Sequence, residues 1–405
     1  MDRRTFLHRF GGLTATGLSA AGLQGFLDTA RPRGRTTRRG GRKGQRGPHV
    51  VVAGAGIIGS SIAYHLAARG AQVTVLEKAR PAAGATSNSF AWLNATYSKQ
   101  PWHYHLIHRF SLDGWRELQR QWNGELQVQW GGSLEWHPDA ESANQLRDQV
   151  RGHQRWGYAA ELVSEEQFRG LEPDIRPGSI AAAAWCEHEG NVDPVHAVEV
   201  FLRKAQEQGA QVSYPAEITG LDVRAGRLRA VRSSAGEIAC DLLVVSCGVD
   251  TPALAAMAGF QVPLVDSPGL LAHTKPQPRL IDRTVLAPGA HMKQNTDGTV
   301  VSGAGFGGSP TTDTSAEMGR RILDAAGRFL PALGRAELDR VTLGWRPMPA
   351  DGYPIVGFPE DSPGVYLAVM HSGMSLAPII GRLAATEILD DVDVELLEPY
   401  RLSRF

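Results

Sequence analysis

Three glycines and an acid carry the first chemistry legible in this chain. Gly54, Gly56 and Gly59 stand in Gly54-Ala55-Gly56-Ile57-Ile58-Gly59, a G-x-G-x-x-G spacing, and Glu77 follows about 20 residues on. Gly54 permits a tight turn, Gly56 lets the backbone approach a pyrophosphate, and Gly59 allows close helix–strand packing. The helix N-terminus at Ile57 and Ile58 offers free N–H groups and a positive dipole end to phosphates. Glu77 stands where a carboxylate accepts hydrogen bonds from ribose hydroxyls. Together they read as a dinucleotide site.

Other candidates weaken on inspection. His103, His105 and His108 form a histidine-rich run, but only the last two share a helix face and no carboxylate stands at ligand spacing, so no metal site is expected. Cys240 and Cys247 bracket the strand 242–245 and would lie roughly 23 Å apart, too far for a disulfide. With only Cys186 besides, there is no disulfide or metal framework. A second glycine run, Gly303-Ala304-Gly305-Phe306-Gly307-Gly308, follows a strand at Thr299–Val301 but opens no helix. It is a decoy as a phosphate loop, with a backbone suited to lining a substrate pocket.

These residues need elements to hold them. Val50–Val52 is an apolar β-branched run without polar alternation, the pattern of a strand buried on both faces. Ile58, Ile62 and Leu66 mark one face of the helix after the glycines, Gly70 stops it, and the strand Val73–Leu76 delivers Glu77. Tyr97–Gln121 reads as a helix whose aromatics Trp102, Tyr104, Phe110 and Trp115 pack in the core. Gly131–Trp136 reads as a strand and Ser142–Gly152 as a surface helix. Asn191–Pro194 caps a helix running to Gln208 and stopped by Gly209. Strands are expected at Val212, Ala216–Val223 and Leu228–Arg232, the last two joined by an Ala225-Gly226 turn, and in Asp241–Gly248. The stretch Val365–Val369 reads as a strand, His371–Ser375 as a turn, and Leu376–Leu389 as a helix with Pro378 in its first turn.

At 405 residues the chain exceeds one core, so two domains are expected. A formal net charge of zero argues against nucleic acid as the main partner, and no stretch has the ~20 apolar residues of a membrane span. Residues 1–30, opening Asp2-Arg3-Arg4-Thr5-Phe6-Leu7 ahead of a mild apolar run, read as a twin-arginine export signal. Residues 31–48 are basic and glycine-rich, a flexible linker. Export to the periplasm or cell exterior would then follow folding in the cytoplasm, which suits a protein without disulfides.

The motifs together resemble the D-amino-acid-oxidase-like family of FAD-dependent oxidoreductases, which includes glycine oxidase, sarcosine oxidase and D-amino acid dehydrogenases. The matching pieces are residues 54–78, GATSNS at 84–89, residues 190–212, DLLVVSCG at 241–248, GWRPMPADGYPIVG at 344–357 and residues 364–381. The resemblance implies an α/β fold in which an antiparallel-sheet substrate domain (101–189 and 266–339) is inserted into a FAD-binding Rossmann-like domain (49–100, 190–265 and 340–405). It implies Glu77 at the adenosine ribose with Lys78 beside it. Thr86 and Ser87 would sit at the pyrophosphate and flavin edge, Ile218 at adenine, and Gly248 at the turn after its strand. Gly373, Met374 and Ser375, at the start of the last helix, would face the flavin pyrimidine, where a helix N-terminus favours negative charge.

The same resemblance gives Arg346 the substrate carboxylate and brings His371 to the catalytic end. The alternative for Arg346 is a core ion pair with Asp351. Some relatives hold the flavin through a cysteine in the region matching 344–349; none stands there, so non-covalent FAD is expected. Met370 replaces a frequent glycine before His371. The region where sarcosine oxidases carry an oxygen-activating lysine is glycine-rich, so O2 and another electron acceptor both stay open. The implied reaction is oxidation of the C–N bond of an amino acid or secondary amine by hydride transfer to flavin N5, giving an imine that hydrolyses. The alternatives are a 2-hydroxy-acid dehydrogenase and a non-catalytic flavin-binding subunit.

Overall fold

Val50–Ala53 lies at the centre of a six-stranded sheet because both its faces are covered. The strand His49–Ala53 pairs in parallel with Gln72–Leu76 on one side and Leu242–Val245 on the other. Gln211–Ser213 and Val365–Val369 extend the parallel sheet, and Ile355–Gly357 closes it as an antiparallel edge. Val50 and Val52 join one core with the helices, while Val51 and Ala53 join a second core beneath the opposite face. A sheet buried on both faces needs the unbroken apolar run seen in the sequence. The computed structural model describes residues 47–405 apart from Ser98 and Gly307. The expected export signal and all but the last two residues of the basic linker lie outside the described residues.

The helix Ile57–Ala67 packs against Pro194–Glu207 and against the C-terminal helix Gly373–Asp390. Asp193 caps Pro194–Glu207 by accepting from the N–H of His196, with proline in the first turn as expected. On the other face a three-stranded antiparallel sheet, Ile218–Arg224, Arg227–Ser233 and Gly236–Ala239, covers the second core. Ala225 and Gly226 both take positive φ, the signature of a type I′ hairpin turn.

The second large sheet has eight strands, in the order Leu338–Trp345, Pro268–Thr274, Val300–Gly303, Ala290–Gln294, Thr284–Ala287, Ser133–His137, Ala182–Cys186 and Glu161–Leu162. Its pairings are antiparallel except that Thr284–Ala287 runs parallel to Ser133–His137. Leu338–Trp345 spans position 340, so this sheet carries the chain directly to Arg346. The helix Trp102–Gln121 packs on the C-terminal helix, against the first core. Among the described residues no helix is long and apolar enough to cross a membrane.

Several local expectations change. The last helix begins at Gly373, not Leu376, so Pro378 is its sixth residue rather than part of the first turn. A proline there cannot donate to the carbonyl of Met374; the indole Nε1 of Trp115 donates to it instead, at 3.0 Å. The aromatic helix starts at Trp102, and although Tyr104 and Trp115 are buried, Trp102 and Phe110 are exposed on its outer side. The helix read at Ser142–Gly152 extends over Ala140–Arg155, started by Asp139 accepting from Ser142 N–H.

Candidate active site

The carboxyl ends of the parallel strands open into a cleft of about 940 Å³, which runs from the glycine turn to Arg346. That volume is at the upper end of the range for small-molecule and cofactor sites. At one end Gly54 takes φ +96°, and a Cβ there would stand 2.6 Å from the carbonyl oxygen of Ser246 on the neighbouring strand. A Cβ on Gly59 would fall 2.0 Å from the oxygen of Gly54. Gly59 therefore works by close packing and is not among the residues lining the cleft, whereas Gly54, Gly56, Ile57 and Ile58 are. The N-terminus of this helix has no side-chain cap; Ile57 N–H donates to Thr86 Oγ1 at 3.2 Å. The N–H groups of the first turn have no partner within a helix.

Glu77 faces the cleft with both oxygens anchored: Oε2 accepts from Ala55 N–H at 3.0 Å and Oε1 from Ala79 N–H at 2.9 Å. A carboxylate has about four acceptor positions, so two remain for hydroxyls. Lys78 lies on the rim, paired with Asp250 at 2.8 Å. Ile218 and Gly248 line the same end, Gly248 at φ +58°. Thr86 lines the cleft and Ser87 does not; the backbone N–H of Ser87 turns away to Ala82 O. Cys247 also lines this end, but burial pushes its thiol up to about 12, which removes the reactive thiolate.

At the other end Arg346 leaves the eight-stranded sheet and is held by backbone carbonyls. Its Nη1 donates to Phe306 O at 2.6 Å and its Nε to Ser267 O at 3.3 Å. Nη2 is buried without a hydrogen-bond partner among the described residues. Asp351 is not its counter-ion: that carboxylate takes a two-point contact from Arg404, at 2.7 and 2.9 Å. Beside Arg346 stands an aromatic wall the sequence reading did not assemble. The ring of His291 stacks on Phe306 at 4.1 Å, and Trp92 and Tyr97 lie 5.3 and 5.2 Å from the same ring. Burial lowers His291 to about 3, keeping it neutral. Phe306 comes from the second glycine run, whose backbone lines the pocket as anticipated.

Between the two ends lies the start of the C-terminal helix. Gly373, Met374 and Ser375 line the cleft as its first turn, and Ser375 Oγ donates to Trp92 O at 3.1 Å. Ser372, just ahead, is held in the left-handed region at φ +59°, a conformation costly for a residue with a Cβ. His371 faces the cleft; burial, reinforced by Lys99 and Arg346, lowers it to about 3. Sequence reasoning missed Lys99, an isolated lysine in no motif, which lines the cleft while only 5% exposed. His105 and His108 are buried, their Nδ1 atoms donating to the carbonyls of Ala95 and Tyr104 at 2.8 Å.

A doubly covered parallel sheet, a G-x-G-x-x-G turn at its carboxyl end and an anchored, cleft-facing acid on the next strand are the pattern of a dinucleotide-binding fold, and the eight-stranded sheet adds a second, cationic end. Residues 49–387 match the family of FAD-dependent oxidoreductases termed DAO, and the chain belongs to it. Glycine oxidase from Bacillus licheniformis is 26% identical over 364 residues, covering 88% of this chain and 97% of the relative. A subunit of opine oxidase from Agrobacterium tumefaciens is 25% identical over 371 residues, covering 85% and 95%. Among solved structures, L-proline dehydrogenase from P. horikoshii shares the fold with a TM-score of 0.79 at 24% identity, over 89% of this chain and 98% of that one.

The protein is thus a FAD-dependent oxidoreductase, and its residues fit that cofactor. A side chain at Gly56 would crowd Thr86, with Cβ at 3.3 Å from its hydroxyl. Trp92 Nε1, Asn94 Oδ1 and Arg346 Nη2, three buried polar atoms without partners among the described residues, belong to side chains lining the cleft that would receive cofactor and substrate.

Proposed function

We propose that this enzyme oxidises the C–N bond of an amino acid or secondary amine whose carboxylate is held by Arg346. The observation that carries the reading is a guanidinium that lines the cleft, is fixed by two backbone carbonyls, and has no carboxylate partner and no hydrogen-bond partner for Nη2 among the described residues. Such a fork matches a carboxylate in direction as well as charge. The names of relatives support it: glycine oxidase, the opine oxidase subunit and, over part of its length, 4-methylaminobutanoate oxidase of Paenarthrobacter nicotinovorans.

The acids lining the cleft, Glu77, Glu217 and Asp250, belong to the dinucleotide end. An amine beside Arg346 therefore meets a like charge and a desolvated pocket, both of which favour its neutral form. A neutral amine has the lone pair needed to expel hydride from the adjacent carbon. Bound FAD supplies the hydride acceptor at N5. The chain's part is to fix the carboxylate, keep the amine uncharged and wall off water with Trp92, Tyr97 and Phe306. The substrate loses a hydride and a proton to become an imine, and water then splits the imine to a carbonyl compound and a free amine or ammonia.

Arg346→Ala should keep its flavin and melting temperature while losing about 2–5 kcal/mol of transition-state binding, read as kcat/KM. Arg346→Lys should recover part. Unchanged kinetics on a carboxylate substrate would remove the assignment. Non-covalent attachment of FAD is also our reading, because no cysteine stands at 344–349 and the cleft thiol of Cys247 is protonated; flavin precipitating with acid-denatured protein would contradict it. Export directed by Arg3 and Arg4 is likewise a proposal resting on sequence, checked by whether Arg3→Lys with Arg4→Lys retains the protein in the cytoplasm.

A further inference from the structure

Lys99 is a buried cation that the amine chemistry above does not use. Its Nζ donates to Ser372 Oγ at 2.9 Å and sits 5.4 Å from the ring centre of Tyr104. Ser372 immediately precedes the C-terminal helix, and its hydroxyl also meets His371 Nδ1 at 3.0 Å. That hydroxyl accepts from Lys99, so the ammonium is oriented rather than merely enclosed.

No carboxylate among the described residues lies in ion-pair contact with Lys99. The one whose charge reaches it, Glu189, is committed elsewhere, accepting from the N–H groups of Ala95 and Thr96 and from the hydroxyls of Thr96 and Ser133. His108 and His371, which feel the charge of Lys99, are themselves held neutral by burial. A buried ammonium without a counter-charge is costly, and this one lines the cleft at the first turn of an 18-residue helix, whose N-terminus adds positive potential.

We propose that Lys99, oriented by Ser372, forms a second anion-binding locus in the cleft, separate from Arg346, for negative charge arriving at the start of the C-terminal helix. The charge has two possible sources: the flavin ring as it takes up electrons, or a second acidic group on the substrate. Either source would act whichever C–N bond is oxidised.

The test uses flavin-loaded Lys99→Met and Lys99→Arg. The methionine has similar length and removes the charge, so it should fold at least as stably. The first measurement is the midpoint potential of the bound flavin without substrate. If the ring is the source, Lys99→Met holds the reduced form at least tenfold less tightly, a drop of about 30 mV for a two-electron couple, and Lys99→Arg restores it. The second is inhibitor affinity. If the substrate is the source, Lys99→Met weakens thiodiacetate, which has no C–N bond to oxidise, at least tenfold, leaves its monoacid counterpart methylthioacetate unchanged and does not move the potential. Either pattern supports the locus. An unchanged potential together with unchanged discrimination between the two inhibitors would overturn it.

Discussion

At the scale of single residues, the cleft is bordered by charges placed where water cannot stabilise them. Glu189 is fully buried, and desolvation outweighs its four hydrogen bonds, raising its carboxyl from 4.5 to about 7. Between those values the folded chain keeps a proton that the unfolded chain has released. Stability therefore falls as pH rises through this window, and above it the buried charge bears its full penalty, on the order of 3 kcal/mol. Glutamine could accept the same bonds from Ala95 and Thr96 and donate to Ser133. Glu189→Gln should therefore raise the melting temperature at about pH 8 and much less at about pH 5; an equal shift at both would contradict this origin. None of this was legible in the sequence. Glu189 stands between His188 and Gly190 in no charge pattern, and Lys99 is equally anonymous. Buried ionisable groups are specified by tertiary neighbours. The glycine turn, Glu77 and Arg346 were legible because local backbone geometry, or a short motif, fixes their residue types.

At the scale of elements, the crossing of Trp102–Gln121 over Gly373–Asp390 shows why the last helix was misjudged. Proline usually marks a first turn, so the sequence reading started the helix near Pro378. The structure admits Gly373, Met374 and Ser375 as helix by giving the orphaned carbonyl of Met374 a partner from another helix, Trp115. A Cβ on Gly114 would fall 2.8 Å from Pro378 Cβ, so the two helices touch at this point. Trp115→Phe leaves that buried carbonyl unpaired and should cost about 1–3 kcal/mol beyond the lost ring area. The expected readout is a lower urea midpoint with an unchanged slope; an unmoved midpoint would show that water or helix distortion satisfies the carbonyl. The parallel strands around Val51 were readable as apolar runs. Several strands of the second sheet were not: Ala290–Gln294 carries buried His291, Lys293 and Gln294, and polar residues inside a strand erase the alternation on which such reading depends.

At the scale of the whole molecule, two sheets divide the work. The parallel sheet fixes the glycine turn and Glu77 at one end of the cleft, and the eight-stranded sheet brings Arg346, His291 and Phe306 to the other. The sequence conveyed this division through motifs spread along the chain, but not the aromatic wall, whose rings come from three separate stretches: Trp92 with Tyr97, His291, and Phe306. The central claim is that the cleft oxidises a carboxylate-bearing amine. Anaerobic titration of the purified yellow protein with panels of amino acids, N-alkyl amino acids and 2-hydroxy acids tests it most directly. The account predicts that an amino acid or N-alkyl amino acid bleaches the flavin absorbance, and that Arg346→Ala, with its flavin retained, bleaches far more slowly. Bleaching by 2-hydroxy acids alone, or by none of the three panels, would contradict it.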